Sequence, residues 1–390
     1  MRPVPAVRPA REVDIMNPVR RSSIQYVQVS VAARFASRLL LSLLLGLAFG
    51  GPNAWAQQGG PKPVSDTATL TILKGTVQCI AGGGTQAQPA TDGMNLAAGD
   101  RVLTGPNAEA LITFLDGSTL TVMPNGDVAV KQADVGKPRS TIAIRINLGK
   151  VWARVVRLAD QKSSFSLESN TATATVHDGL IGSQQEADGT FTCWTKAGPL
   201  TVTDRQGRTL TLSPGQKAVV KGAAAPTPQP FAVHQSVLAV VASSNVLPLV
   251  LMDDEVRVAG FVAPGVEVNQ VFGSFTGQGE GGTRTVEVPA GVPGPFTLVL
   301  EGKEDGPFHI TLSGSFKGTL TYLQPLSGTI AKGQRLHTRI NQVLDQTTSG
   351  DPKQAKVRSG AASAFTPLAG PLPGKILLAP DELASAGGSR

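Results

Sequence analysis

The chain has 390 residues, of which 41% are hydrophobic, 16% are charged and only 5% are aromatic. Its net charge is +7, but residues 1–56 hold seven bases and two acids, which leaves 35−7 = 28 bases against 28−2 = 26 acids elsewhere. A remainder of +2 excludes a strong attraction for nucleic acid, and so few aromatic side chains argue against a stacking platform for single strands.

The amino-terminal segment has the pattern of a secretory signal peptide. Basic residues precede the apolar run Leu39–Phe49, and the small-x-small sequence at residues 54–56 follows it. This pattern predicts a cleaved leader over residues 1–56 and a periplasmic or secreted protein. The run is short for a membrane span, so we expect no stable insertion after cleavage. A retained amino-terminal anchor is the alternative, and Met16 is a second plausible start.

After a short linker at 57–67, residues 68–221 read as one all-β domain. Short apolar-alternating runs rich in Val and Thr are separated by Gly, Asp, Asn and Pro, and new runs begin every eight to twelve residues. In Thr141–Ile146 the three isoleucines fall on one face of a strand.

The rest of the chain divides by composition. Residues 222–247 begin with an Ala- and Pro-rich stretch and predict a linker segment. Its apolar second part fits either a helix or a strand that passes between domains. Residues 248–346 return to alternating runs with Gly-Pro turns and predict a β-sandwich-like domain. Residues 347–390 are rich in Gly, Ala, Pro and Ser and weakly patterned, which predicts a disordered tail.

A set of motifs in residues 68–221 is specific in order and spacing. Its members are Gly75, Val77, Leu96, Gly99, Asp100, Thr104, Gly105, Ala110, Phe114, Asp116, Gly117, Ser118 and Leu120, then residues 149–151, 174–176 and 212–216. This arrangement resembles the FecR-type periplasmic domain family. The resemblance implies a β-roll or solenoid-like body and a signalling or regulatory role without enzymatic activity.

One motif departs from the family pattern. Where the family has Arg-Gly-Thr after an A-x-V strand, this chain has His177, Asp178 and Gly179. If the family motif supports a signalling contact, that contact is in doubt here. His177 and Asp178 are therefore candidate binding residues, although a simple turn is the plainer interpretation.

The acids at Asp100, Asp116 and Asp127 each lie beside a glycine between predicted strands. Asp-Gly at such a position is a strong hairpin signal, whereas a calcium loop needs oxygen ligands at much tighter spacing. No nucleophile, metal-ligand or phosphate-loop motif accompanies them. We therefore predict no catalytic residue, no metal and no cofactor.

Four further residues are candidates for special roles. Cys79 and Cys193 are the only cysteines, and in an exported chain they suggest a disulfide; two buried thiols are the alternative. Trp152 and Trp194 lie in predicted strands, where an aromatic ring holds a sugar or peptide or fills a core.

Together these features predict an exported, non-enzymatic protein that binds an envelope protein partner and takes part in signal sensing. A carbohydrate-binding or structural module of the cell envelope, with a polysaccharide ligand, is the alternative.

Overall fold

The computed structural model describes only part of the chain between residues 62 and 387. The described residues are 62–63, 68–136, 139–157, 160, 162–234, 236–252, 256–289, 296–317, 319–340, 342–345, 356–359 and 364–387. The predicted signal peptide, its cleavage site and the Met16 start lie outside them. Within these residues no helix has the length and apolarity needed to cross a membrane.

The first region consists of short strands. In chain order the strands up to residue 230 are Lys62–Pro63 (β1), Ala68–Lys74 (β2), Val77–Ile80 (β3), Gln88–Pro89 (β4), Asn95–Leu96 (β5), Arg101–Thr104 (β6), Glu109–Phe114 (β7), Thr119–Val122 (β8), Asp127–Val135 (β9), Ser140–Val155 (β10), Ser164–Glu168 (β11), Ala172–Val176 (β12), Gly179–Gln185 (β13), Phe191–Ala197 (β14), Leu200–Asp204 (β15), Thr209–Leu212 (β16), Gln216–Val220 (β17) and Pro228–Pro230 (β18).

Strands β2 to β18 form two sheets that share β10. Sheet I has the order β5-β2-β7-β8-β10-β13-β14-β17-β18. Sheet II has the order β4-β3-β6-β9-β10-β11-β12-β15-β16. The chain passes repeatedly from one sheet to the other, and one apolar core lies between them. The alternating residues of each strand supply that core, since successive side chains point to opposite faces.

Strand β10 changes sheets because it bends at Gly149. Its first half pairs with β9 and β11 in sheet II, and its second half pairs with β8 and β13 in sheet I. Gly149 has φ +90°, and a Cβ there would lie 2.7 Å from the Cα of Gly126. Only glycine combines this backbone conformation with so close an approach.

The second region starts at residue 236. Its elements are Ser236–Ala242 (β19), Val246–Leu251 (β20), Val258–Ala263 (β21), Val266–Asn269 (β22), Phe275–Gln278 (β23), a 3₁₀ turn at Glu280–Gly282, Arg284–Pro289 (β24), Phe296–Gly302 (β25), Gly306–Phe316 (β26), Thr319–Ile330 (β27), Arg335–Ile340 (β28), Gln342–Asp345 (β29), Lys356–Ser359 (β30), Thr366–Pro367 (β31), Leu377–Leu378 (β32) and the helix Pro380–Gly387 (α1).

Two sheets again enclose a core. Sheet III has the order β23-β24-β19-β26-β27, and sheet IV has the order β22-β21-β20-β25-β28-β31. Apolar side chains from both sheets pack between them. The all-β prediction is therefore confirmed.

Residues 222–247 are not a plain linker. They include β19, which lies in the middle of sheet III and pairs with β24 and β26. Alternate residues of β19, Leu238 and Val240, are fully buried. Burial of this apolar face draws the segment into the second region, which therefore begins before residue 248.

The described part of the carboxyl-terminal tail is also ordered. Leu372, Ile376 and Leu378 pack on the outer face of sheet IV and are at most 5% exposed. Strand β32 pairs in parallel with β1. The prediction of disorder is thus wrong for residues 364–387. A few apolar side chains, spaced among Gly and Pro, pack against the apolar outer face of sheet IV and order the segment.

Candidate interaction surface

The outer face of sheet I, which points away from the core of the first region, is covered. One row of directly opposite residues crosses seven of its strands, from β17 to β2. The row is Lys217, Trp194, Gly182, Trp152, Thr121, Leu111 and Thr71. Trp152 and Trp194 in this row are 0% and 2% exposed. A solvent-facing sheet surface would leave such side chains open, so another part of the chain must lie over them.

Gly182 separates the two indole rings. It is the direct neighbour of Trp152 on β10 and of Trp194 on β14. A Cβ on Gly182 would lie 2.4 Å from the Trp194 ring. The absence of a side chain therefore lets the Trp194 indole lie across β13, and the rings form a broad aromatic platform.

The second region supplies the cover. The ring of Phe272 lies 5.6 Å from that of Trp152 and 6.1 Å from that of Trp194. Trp194 also contacts Phe231, which precedes the second region, at 5.3 Å between ring centroids. These separations are typical of favourable aromatic pairs. We call Trp152, Gly182 and Trp194 the aromatic platform and residues 271–275 the capping segment.

Three lysines surround this aromatic cluster. Their ammonium groups lie over neighbouring rings: Lys150 over Phe272 at 5.3 Å, Lys196 over Phe275 at 5.4 Å, and Lys217 over Phe231 at 5.2 Å. Such cation–π contacts hold a charge at the rim of an apolar surface.

Polar contacts also join the second region to sheet I around and beyond the aromatic cluster. Lys196 forms an ion pair with Glu287 at 2.7 Å, and Thr121 donates to the carbonyl of Gln270 at 3.2 Å. Further contacts join Arg257 to Glu109 at 3.0 Å and Arg154 to Glu382 of α1 at 3.3 Å. The second region and its terminal helix thus lie on the outer face of sheet I.

His234 fixes the main chain of the capping segment. Its Nε2 donates to the carbonyl oxygen of Phe272 at 2.8 Å, and its ring packs edge-on against the Phe272 ring. Burial lowers the pKa of His234, and the positive charges of Lys150 and Lys196 lower it further. The hydrogen bond to Phe272 acts in the opposite sense, but the net downward shift of the pKa favours the neutral imidazole.

The two tryptophans predicted as possible binding residues are brought together, but not as an open site. Both rings are buried under the capping segment, so neither is presented to a polysaccharide. The strand pattern indicates which face they occupy but not what covers that face.

His177 and Asp178 form the bend that carries the chain from β12 in sheet II to β13 in sheet I. His177 is exposed and Asp178 is half-buried. The next residue, Gly179, has φ +136°, and a Cβ there would lie 2.0 Å from the carbonyl oxygen of Ala197. This position therefore requires glycine. Among the described residues no cluster of acids, histidines or cysteines is arranged to hold a metal.

The predicted disulfide is not formed. Cys79 in β3 and Cys193 in β14 are both free and buried, and they lie in different sheets. Burial raises the pKa of both thiols, that of Cys193 to about 12. An even cysteine count shows only that pairing is possible, whereas bonding requires the two residues to face each other.

The three acids beside glycines stabilise turns and pairs of strands. Asp100 accepts hydrogen bonds from the backbone of Gly82 and Ala97, each at 2.8 Å. Asp116 accepts from the backbone of Ser118 at 2.9 Å, and Asp127 pairs with Arg101 at 2.5 Å.

Comparison with known proteins identifies the first region. Residues 100–198 match the model of the FecR protein family, from just before β6 to just after β14. The chain therefore contains a FecR domain, which confirms the resemblance over those residues. This domain includes both tryptophans of the platform. The family is regulatory rather than enzymatic in kind, and the match indicates a role in signal regulation.

Two solved structures are more distant. Both are of a candidate anti-sigma factor from Parabacteroides distasonis, at 13% and 12% identity with a TM-score of 0.29 in each case. Each alignment covers 34% of this chain and 59% of the other, so this chain spans less than two thirds of their length. Likeness at this level carries no functional argument. No curated protein matches the sequence.

Sequence reasoning missed the residues that complete this surface, namely Phe272, Phe275 and His234. A signal was present: two phenylalanines three apart in a Gly-Ser turn are unusual in a chain that is 5% aromatic.

Proposed function

We propose that the protein is an exported, non-enzymatic regulator that binds a protein partner in the periplasm and takes part in signal sensing. The FecR domain at residues 100–198 is the observation that carries this proposal. The secretory pattern of residues 1–56 supports the location, and loops and strand edges supply the contact surfaces.

Proteins can gain specific main-chain hydrogen bonds by adding a strand to an exposed sheet edge. In the described residues, sheet I ends in the short strands β5 and β18, and sheet II ends in the short strands β4 and β16. A partner bound there needs no catalytic pocket. The carbohydrate alternative loses its main support, because the two tryptophans that would stack on a sugar are buried.

The test combines fractionation with crosslinking in cells. We expect the tagged protein in the periplasmic fraction, with a mature amino terminus at or near Gln57 by mass spectrometry. A photo-crosslinker in the exposed loops of the FecR domain should trap one defined envelope protein, and an unrelated exported β-sandwich protein labelled in its own loops is the control. Cytoplasmic protein, or sedimentation with peptidoglycan without a crosslinked protein, would contradict the proposal.

A further inference from the structure

The covered aromatic platform contains two buried hydrogen-bond donors that are not satisfied by the described residues. The indole N–H groups of Trp152 and Trp194 are both buried, and neither has a hydrogen-bond partner among the residues that the structure describes. Buried donors in folded proteins almost always have a partner, because water is lost without replacement when they do not. Two such donors, side by side on one face, indicate that the present cover fits this surface incompletely.

The cover over the platform is also narrow. Phe272 packs against both indoles, and it belongs to the short connection between β22 and β23. The nearby Lys196–Glu287 pair retains partial exposure, at 31% and 27% for its two side chains. Over the indoles, the contact combines the capping segment, Phe231 and a partly exposed ion pair. Such a mixed contact resembles a reversible interface between domains rather than a continuous core.

We propose that the outer face of sheet I is a protein-binding surface, held closed by the chain's own capping segment, and that a partner polypeptide binds by displacing residues 271–275. This inference rests on the proposed function, since it names the surface that receives the protein partner.

The groups on the surface define the chemistry of that partner. An aromatic side chain of the partner would pack against the two indoles, as the ring of Phe272 does now. Their free N–H groups require acceptors, which an extended backbone supplies as carbonyl oxygens. Lys150, Lys196 and Lys217 at the rim favour a carboxylate, as Glu287 now shows for Lys196. The matching partner is an extended segment that carries aromatic and acidic residues.

The experiment uses the full chain with Trp55→Phe, so that Trp152 and Trp194 alone report. In this protein we expect weak acrylamide quenching of the indole emission. Phe272→Ala should raise the quenching severalfold, because it removes the ring that covers both indoles. Phe316→Ala is the matched control, since Phe316 is a partly exposed phenylalanine of the same region outside the cluster.

The probe is a synthetic peptide of residues 267–278, added to the Phe272→Ala chain. The peptide should restore protection of the indoles, whereas the same peptide with alanine at both phenylalanines should not. It should protect the unmutated chain much less, because the cover is already in place. This competition needs no envelope extract, so its failure is distinct from a failure to find the proposed partner.

Two results would overturn the inference. One is equal quenching in the covered and Phe272→Ala chains; the other is a folded Phe272→Ala chain that the peptide does not protect. Circular dichroism and gel filtration establish folding. If that variant does not fold, Glu287→Gln, which weakens the rim and leaves every aromatic ring in place, carries the same test with the same peptide. A Glu287→Gln chain that neither gains quenching nor responds to the peptide also overturns it.

Discussion

His234 makes the closure of the aromatic platform sensitive to pH. Its pKa is lowered in the folded chain, so folding and closure favour the neutral ring. The stability contributed is complete above the ordinary histidine pKa and is lost as pH falls through the range below it. We expect indole quenching by acrylamide to rise between pH 7.5 and pH 5, and His234→Gln to remove most of that rise.

The charged groups around His234 sharpen this test. The positive charges of Lys150 and Lys196 face it and lower its pKa, while Glu287 pairs with Lys196. Glu382, on α1, acts in the opposite sense: burial raises its pKa, so its contribution to stability is lost as pH rises through the folded-state value. Glu382→Gln should therefore leave the acid-induced quenching in place. If the pH response is unchanged in His234→Gln, a group other than His234 causes it.

The two cysteines illustrate what reactivity requires. The thiolate is the reactive form, and burial raises the pKa of Cys193 to about 12 and also raises that of Cys79. We expect neither thiol to react with a maleimide at pH 8 in the native chain, and both to react after unfolding in urea. Mass spectrometry counts the adducts. Two unlabelled cysteines that remain unreactive in urea without reductant would instead show a disulfide.

Gly182 is the residue on which the platform depends. Alanine there would place a Cβ 2.4 Å from the Trp194 ring, which must shift. Overpacking of this kind costs about 1–3 kcal/mol. We expect Gly182→Ala to lower the free energy of unfolding in urea by that amount and to change the tryptophan emission.

The matched control for Gly182 is Gly136→Ala. Among the described residues, its added methyl would meet no atom closer than 3.5 Å, an ordinary contact distance. Equal stability for the two variants would show that Trp194 does not need the space above β13.

At the scale of elements, the alternating pattern was sufficient to predict strands but not their partners. Thr141–Ile146 has its isoleucines on one buried face, as predicted. The bend at Gly149, which moves β10 between sheets, follows from contact with Gly126, more than twenty residues away in sequence. Similarly, β19 was predicted only as part of a linker segment and residues 364–387 as disordered, because the apolar faces that order them come from distant strands.

The carboxyl-terminal segment gives an element-scale prediction. Ile376 is 4% exposed and packs on the outer face of sheet IV. Replacing a buried isoleucine with alanine costs about 2–5 kcal/mol, with the lower end at sites that can collapse. We expect Ile376→Ala to destabilise the chain by about 2 kcal/mol in urea unfolding. Leu323→Ala, at a residue 59% exposed, should stay within about 0.5 kcal/mol; similar losses in both would contradict docking of the segment.

For the molecule as a whole, local sequence patterns predicted the fold better than they predicted the candidate surface. The FecR motifs could be recognised because turns and strand spacing are local, and the sequence match confirms those within residues 100–198. The candidate surface could be predicted only in part. The pattern placed Trp152 and Trp194 in strands, but their cover comes from Phe272, 78 residues beyond Trp194 (272−194 = 78). Contacts over such separations depend on the docking of the two regions, which no local pattern encodes.

That docking predicts how the molecule unfolds. Each of the two regions has a core of packed, buried apolar side chains, whereas the cover over the aromatic platform leaves two indole donors without a partner among the described residues. Regions with fewer satisfied contacts open at lower free energy than the global transition. In rising urea, the emission of Trp152 and Trp194 should therefore shift before the far-ultraviolet circular dichroism of the β-sheets is lost. Phe272→Ala should widen the gap by moving the emission midpoint down while leaving the β-sheet midpoint nearly unchanged. Superimposable transitions in both proteins would instead show that the two regions and their interface unfold as one cooperative unit.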